Sequence, residues 1–127
     1  MTTKILLVED NAANRYLATF LLQGNGFEVI HAANGREALD RVQHDPPDLI
    51  LMDIQMPEMD GYEAARCIRE MPKAARIPIV AVTSYAMAGD RDRALQLGFV
   101  GYIEKPISTE TFVSQIVCFL PGKAGSP

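Results

Sequence analysis

The sequence is poor in cysteine: only Cys67 and Cys118 are present, far apart and in no metal-like spacing. Both fall in stretches with helical patterning, so they are expected to be buried, reduced thiols. Long apolar runs are also missing. No stretch reaches the roughly 20 residues that a membrane-spanning helix needs. The opening MTTKILLVEDN turns acidic straight after a short apolar run, without the h-region or small-residue cleavage site of a signal peptide. Nor is there a run of Lys or Arg. The 12 basic residues are outnumbered by 16 acidic ones, for a net charge of −4. The positive footprint that a phosphate backbone requires is therefore absent, and direct nucleic-acid binding is not expected. These absences predict a cytoplasmic protein without membrane contact.

What is present suits one globular domain. The 127 residues are 48% hydrophobic and 22% charged, enough apolar material for a substantial core. Strand and helix patterns alternate from end to end. KILLV (residues 4–8) is a nearly continuous apolar run, as in a parallel strand buried on both faces. A helix follows with Tyr16, Leu17, Phe20 and Leu21 as its apolar stripe, ended by Gly24. FEVIHA (residues 27–32) alternates polar and apolar residues and predicts a strand with one less buried face. Asn34 with Glu37, and later Asp60 with Glu63, carry the spacing of helix starts. Between them, Pro46 and Pro47 stop a helix ahead of a third strand, LILM (residues 49–52). IPIVAVT (residues 77–83) predicts a fourth strand, and a weaker helix around residues 90–97 stops at Gly98. GYIE (residues 101–104) predicts a short fifth strand. Ser108 is expected to cap a last helix faced by Phe112, Val113, Ile116, Val117 and Leu120. The tail, residues 121–127, is small and polar and reads as a flexible end after a domain of residues 1–120.

Five strands alternating with five helices imply a parallel sheet covered on both faces. Right-handed crossovers then gather all strand carboxyl ends at one edge, where such folds place their sites. Glu9 and Asp10 follow the first strand, Asp53 the third, Thr83 ends the fourth, and Lys105 follows the fifth. Three carboxylates converging there would repel one another, and at least one would hold its proton more tightly than usual. A hard divalent cation removes that conflict. Mg²⁺ fits best, since it takes one or two carboxylates and leaves room for phosphate oxygens. The competing reading is a set of solvated loop acids.

LLVEDN, LMDIQMPEMDG, AVTS and YIEKPI, in this order and at these strand ends, resemble the receiver domains of two-component signalling, from Lys4 to about Leu120. The resemblance implies a flavodoxin-like fold with strand order 2-1-3-4-5, an order for which a chemotaxis receiver is itself the standard example. It implies a signalling phosphoacceptor rather than an enzyme with a small substrate. Asp53 would take a phosphoryl group from a phosphohistidine on a histidine kinase or a histidine phosphotransfer protein. Asp10 would bind Mg²⁺ directly, Glu9 through water, and Gln55 through its backbone carbonyl. Lys105 and Thr83 would meet phosphoryl oxygens, matching the charge that develops in phosphoryl transfer. Thr83 and Tyr102 would form the switch, with the Tyr102 ring turning inward as Thr83 moves toward the phosphate. The output would be a protein surface, formed by the fourth helix, fifth strand and fifth helix, that binds a downstream target.

The same resemblance gives the Lys105–Pro106 peptide as cis and makes Asn14 and Arg15, on the first helix, a docking face for the phosphodonor. Gln55 and Tyr85 would tune the access of water to the phosphoryl group. Pro57 and Gly61 shape the loop after Asp53, as metal-loop geometry or as ordinary turn chemistry. His31 and His44 have no expected catalytic role, and Met52, Met56, Met59 and Met87 are expected in packing or partner contacts.

Two other chemistries use parts of this pattern. A haloacid-dehalogenase-type phosphatase also uses a strand-end Asp, but needs a second Asp two residues on, where this chain has Gln55. A flavin module needs a phosphate-binding loop after the first strand, where this chain has the acidic EDNAAN. With only a short tail after Leu120, the chain is expected to be a stand-alone regulator or a receiver from a larger protein such as a hybrid kinase.

Overall fold

Five short strands alternate with five helices in the computed structural model, which describes residues 2–84 and 89–120. The expected flexible tail, Tyr85 and Met87 lie outside the described residues. The elements are β1 (Lys4–Val8), α1 (Ala12–Gln23), β2 (Glu28–Ala32), α2 (Gly35–His44), β3 (Leu49–Asp53), α3 (Gly61–Arg69), β4 (Ile79–Thr83), α4 (Asp90–Gln96), β5 (Gly101–Glu104) and α5 (Phe112–Phe119). All strand pairs are parallel, in the order β2-β1-β3-β4-β5. This is the flavodoxin-like order that the sequence led us to expect.

The sheet divides the core in two. Leu6, Val8, Ile50, Met52, Ile79 and Ala81 face α2, α3 and α4, whereas Ile5, Leu7, Leu49, Leu51, Val80 and Val82 face α1 and α5. With both faces covered, every residue of β3 and β4 is buried. That is why these strands read as unbroken apolar runs. Each fully buried Leu or Ile contributes about 1.5–3 kcal/mol. β2, at the sheet edge, keeps Glu28 and His31 exposed, as its alternating sequence suggested.

The helix starts behave as their sequence indicates. The Asn34 side chain accepts from the Glu37 N–H at 2.9 Å while Glu37 reaches back to the Ala33 N–H at 2.8 Å. Asp60 accepts from the Glu63 N–H at 2.9 Å. Caps of this kind contribute about 1 kcal/mol each.

Four expectations are corrected. In α1 the buried residues are Ala18 and Leu22, with Leu21 partly buried beside them. Tyr16 and Phe20 are instead 73% and 64% exposed, because the inner face is rotated by about one residue from the predicted stripe. Ser108 does not cap α5 directly. Its carbonyl accepts from the Thr111 and Phe112 N–H groups, a turn that delays the helix until Phe112. β4 begins at Ile79 rather than Ile77: Pro78 has no N–H, and the Ile77 carbonyl is taken by the Arg69 guanidinium at 2.7 Å. The cysteines are free, but Cys67 is only partly buried and Cys118 is exposed, since α5 turns Phe112 and Ile116 inward and Cys118 away.

Candidate functional site

The carboxyl edge of the sheet collects the predicted residues. Glu9 prolongs the β1 ladder, its N–H donating to the Ala32 carbonyl at 3.0 Å, and its side chain is buried while Asp10 faces solvent. Asp53, the last residue of β3, is only 2% exposed. Carboxylate oxygens of Glu9, Asp10 and Asp53 lie within 4.8 Å of one another. Lys105 enters from the far side of the sheet. Its N–H donates to the Thr83 carbonyl at 2.8 Å, and the Lys105–Pro106 peptide is cis. The Lys105 ammonium lies 2.8 Å from Glu9 and 3.4 Å from Asp53, so two acids share one lysine.

The loop after Asp53 depends on a glycine. A Cβ on Gly61 would sit 2.5 Å from the Asp53 carbonyl oxygen and 2.9 Å from Ile54 Cα. Gly61 therefore lets the start of α3 press against the end of β3, where its N–H donates to the Ile54 carbonyl at 3.1 Å. Within this loop Glu58 adopts a positive φ of 69°, a conformation few non-glycine residues take.

Burial and the negative charge of Glu9 push the Asp53 carboxyl up to about 7, against which Lys105 pulls it down. A site of hard carboxylate oxygens, one of them holding its proton this tightly, suits a divalent cation in chemistry and in charge. Asp10, Asp53 and Glu9 are the side chains able to hold it.

Thr83 is buried at the end of β4, and the Gln55 side chain reaches it. Gln55 Nε2 donates to Thr83 Oγ1 at 2.5 Å, its Oε1 accepts from the Ser84 N–H at 3.2 Å, and its backbone N–H donates to Asp53 at 3.2 Å. The roles expected of Gln55, a backbone carbonyl ligand and a place beside the water path, do not include this side-chain bridge. The only signal was an amide two residues past Asp53.

Tyr102 is not part of the carboxylate cluster. Its ring is buried in the core beneath α4, 7% exposed, with the Arg91 guanidinium 5.5 Å from its centroid. Among the described residues its buried hydroxyl has no hydrogen-bond partner.

Other candidates take structural positions. Met52 and Met56 are buried in the core and Met59 packs against it. His31 meets Thr19 and His44 meets the Asp40 carbonyl, so neither joins the carboxylates. Arg15 donates to the Glu9 carbonyl at 2.8 Å, which makes it a tether within the chain. Asn14 is exposed, its N–H capped by Asn11.

A parallel sheet carrying an acidic cluster and a lysine at its carboxyl edge defines a flavodoxin-like signalling module. The chain belongs to the response regulator receiver domain family, whose model matches residues 5–117. It is 42% identical over 120 residues to the polar-differentiation response regulator DivK of Brucella ovis, covering 94% of this chain and 98% of that protein. The chemotaxis protein CheY4 of Vibrio cholerae superposes with a TM-score of 0.89 at 31% identity, covering 94% of this chain and 100% of that one. The receiver domain of the sensor histidine kinase PA1611 of Pseudomonas aeruginosa superposes with a TM-score of 0.85 at 35% identity, covering 94% and 98%. That structure holds a magnesium ion coordinated in its active-site cleft. Receiver domains are signalling phosphoacceptors rather than conventional enzymes, and the acidic cluster of this chain accords with a phosphoaccepting aspartate.

Proposed function

We propose that residues 1–120 form a receiver that accepts a phosphoryl group on Asp53 from the phosphohistidine of a histidine kinase or histidine phosphotransfer protein. The supporting observation is the company of Asp53: a buried carboxyl within 4.8 Å of two other acids and 3.4 Å from the Lys105 ammonium. Asp10 and Glu9, with Asp53 and the Gln55 backbone carbonyl, would hold Mg²⁺. Such an ion, when bound, would neutralise carboxylate charge and attract phosphoryl oxygens.

An Asp53 carboxylate oxygen attacks phosphorus, the phosphorus–nitrogen bond of the phosphohistidine breaks, and the imidazole leaves with the bonding pair. Lys105 supplies positive charge to the phosphoryl oxygens and Thr83 donates its hydroxyl proton to one of them. The Tyr16 and Phe20 rings, stacked with centroids 6.4 Å apart and both exposed on α1, offer the phosphodonor an apolar surface on the helix that follows the site end of β1. Output passes through Thr83 and Tyr102 to the surface of α4, β5 and α5, where a downstream protein binds. A cytoplasmic location fits this partner set, and no helix among the described residues is long and apolar enough to cross a membrane.

The test is intact-mass spectrometry after incubation with acetyl phosphate and Mg²⁺. One phosphoryl group is expected on the wild type and none on Asp53→Asn. No addition, or an addition that survives Asp53→Asn, refutes the reading.

A further inference from the structure

The loop from Asp53 to α3 rests on the head of α2 through Met59. The contact is close: a Cβ on Gly35, the first residue of α2, would sit 2.9 Å from Met59 Sδ and 3.0 Å from its Cγ. Glycine at that position is what leaves room for the thioether. Next to it in the loop, Glu58 holds its positive φ of 69° inside a turn closed by the Met59 N–H, which donates to the Pro57 carbonyl at 2.8 Å. A non-glycine residue keeps such a conformation only where its surroundings enforce it. Here the turn bond and the seat of Met59 on Gly35 enforce it.

Met59 differs from the other methionines of this region in access. Met52 and Met56 are 0% and 8% exposed, whereas Met59 is half-buried and lines a cleft of about 490 Å³ between the head of α2 and the loop. Arg36, Pro57 and Glu58 are exposed along that cleft, so it is open to water. A water molecule takes about 30 Å³ of liquid, and a peroxide is little larger.

We propose that Met59 is an oxidation site whose sulfoxide releases the loop after Asp53 from α2 and thereby weakens the cation-holding edge of the sheet. The oxidant is hydrogen peroxide. A sulfur lone pair attacks one peroxide oxygen, the oxygen–oxygen bond breaks, and the proton left on the transferred oxygen goes to the departing hydroxide, which leaves as water. Sulfur is oxidised by two electrons and the peroxide is reduced by two. The product is polar and chiral where the thioether was apolar and flexible. The Gly35 backbone closes one side of the sulfur, so the new oxygen has to face the cleft and its water, and the dry seat on Gly35 is lost. Glu58 is then free to leave the left-handed region, and the loop that carries Gln55 loses its fixed path. The effect on the cation rests on the phosphoacceptor reading given above; the release of the loop does not.

The experiment exposes the metal-free protein to graded hydrogen peroxide. Peroxide also attacks thiols, of which Cys118 is exposed and Cys67 partly buried. A thiol reductant added afterwards reverses disulfides and sulfenic acids but leaves the sulfoxide. Peptide mass mapping then reads the order of methionine oxidation, amide hydrogen exchange reads residues 54–60, and calorimetric titration reads Mg²⁺ affinity. Met59→Leu, close in volume and without sulfur, is the control. Should it fail to fold, repair of the oxidised wild type by methionine sulfoxide reductase takes its place.

Met59 is expected to oxidise ahead of Met52 and Met56, with faster exchange across residues 54–60 and Mg²⁺ affinity lower by about tenfold, the usual cost of losing a support behind metal ligands. Peroxide is expected to leave exchange and affinity of Met59→Leu unchanged, and the reductase to restore both in the wild type. Oxidation of Met59 no sooner than Met52 and Met56, unchanged exchange, unchanged affinity, or equal sensitivity of Met59→Leu overturns the proposal. If the untreated wild type binds no Mg²⁺, the functional reading fails, and exchange across residues 54–60 still decides whether Met59 holds the loop.

Discussion

Replacing Asp53 by Asn should make the metal-free protein more stable at pH 8 than the wild type, and progressively less so toward pH 5. The Asp53 carboxyl is 2% exposed and lies within 4.8 Å of Glu9 and Asp10 oxygens. Burial first, and Glu9 second, raise it from an ordinary 3.8 to about 7, despite Lys105 at 3.4 Å. A group that binds its proton more tightly in the folded state leaves the native protein holding more protons between those two values. Stability then declines as pH rises through the window and levels off above the folded value. The full displacement is worth about 4 kcal/mol at most, and roughly 2–3 kcal/mol of it develops between pH 5 and pH 8.

Urea unfolding followed by circular dichroism at several pH values, with chelator present, measures both proteins. Subtracting one profile from the other cancels the titrating groups that Asp53 does not touch. The stability gained by Asp53→Asn should grow by about 2–3 kcal/mol from pH 5 to pH 8. Parallel profiles, separated by a constant amount, would refute the reasoning. Excess Mg²⁺ supplies the second arm. It should stabilise the wild type by about 2.7 kcal/mol at a hundredfold excess over its dissociation constant, and flatten its pH dependence, with a smaller effect on Asp53→Asn.

Gly61→Ala forces a Cβ to 2.5 Å from a backbone oxygen that cannot step aside. A loss of about 3 kcal/mol in urea unfolding is expected, together with slower phosphorylation from a displaced Asp53. Tyr102→Phe removes a buried hydroxyl that has no partner among the described residues, so stability should hold or rise by about 1 kcal/mol; a clear fall in the unfolding midpoint would mean that the hydroxyl is satisfied. Tyr16→Ser with Phe20→Ser should change stability by less than about 0.5 kcal/mol per site, since both rings are exposed. The double variant should slow transfer from a cognate phosphohistidine donor while leaving acetyl phosphate unaffected, a contrast read by mass spectrometry.

The fold was legible because its determinants are local and periodic. β3 and β4 are buried on both faces, so their burial is written as unbroken apolar runs, and the caps at Asn34 and Asp60 act within four residues of themselves. The α1 stripe was misplaced for the opposite reason. Tyr16, Leu17, Phe20 and Leu21 match a helical period as well as Ala18, Leu21 and Leu22 do, and period alone does not decide which face meets the sheet. Small Ala18 takes the inner position, and the larger aromatic rings remain outside.

The site was legible as a set of positions, since topology alone carries Glu9, Asp10, Asp53, Thr83 and Lys105 to one edge of the sheet. Their contacts were not, because contacts depend on side-chain reach. Glu9 has one methylene more than Asp and meets the Lys105 ammonium at 2.8 Å, closer than Asp53 at 3.4 Å. Lys105 is therefore divided between two acids, and the share given to Glu9 is withheld from Asp53. Burial first, and the negative charge of Glu9 second, hold the Asp53 proton near neutral pH, and a lysine set closer to Glu9 offsets them only in part. The carboxylate charge that Lys105 leaves uncancelled is what a divalent cation would balance, so the part of the Asp53 proton affinity that comes from Glu9, beyond the larger part that comes from burial, shares its origin with the cation affinity of the cluster.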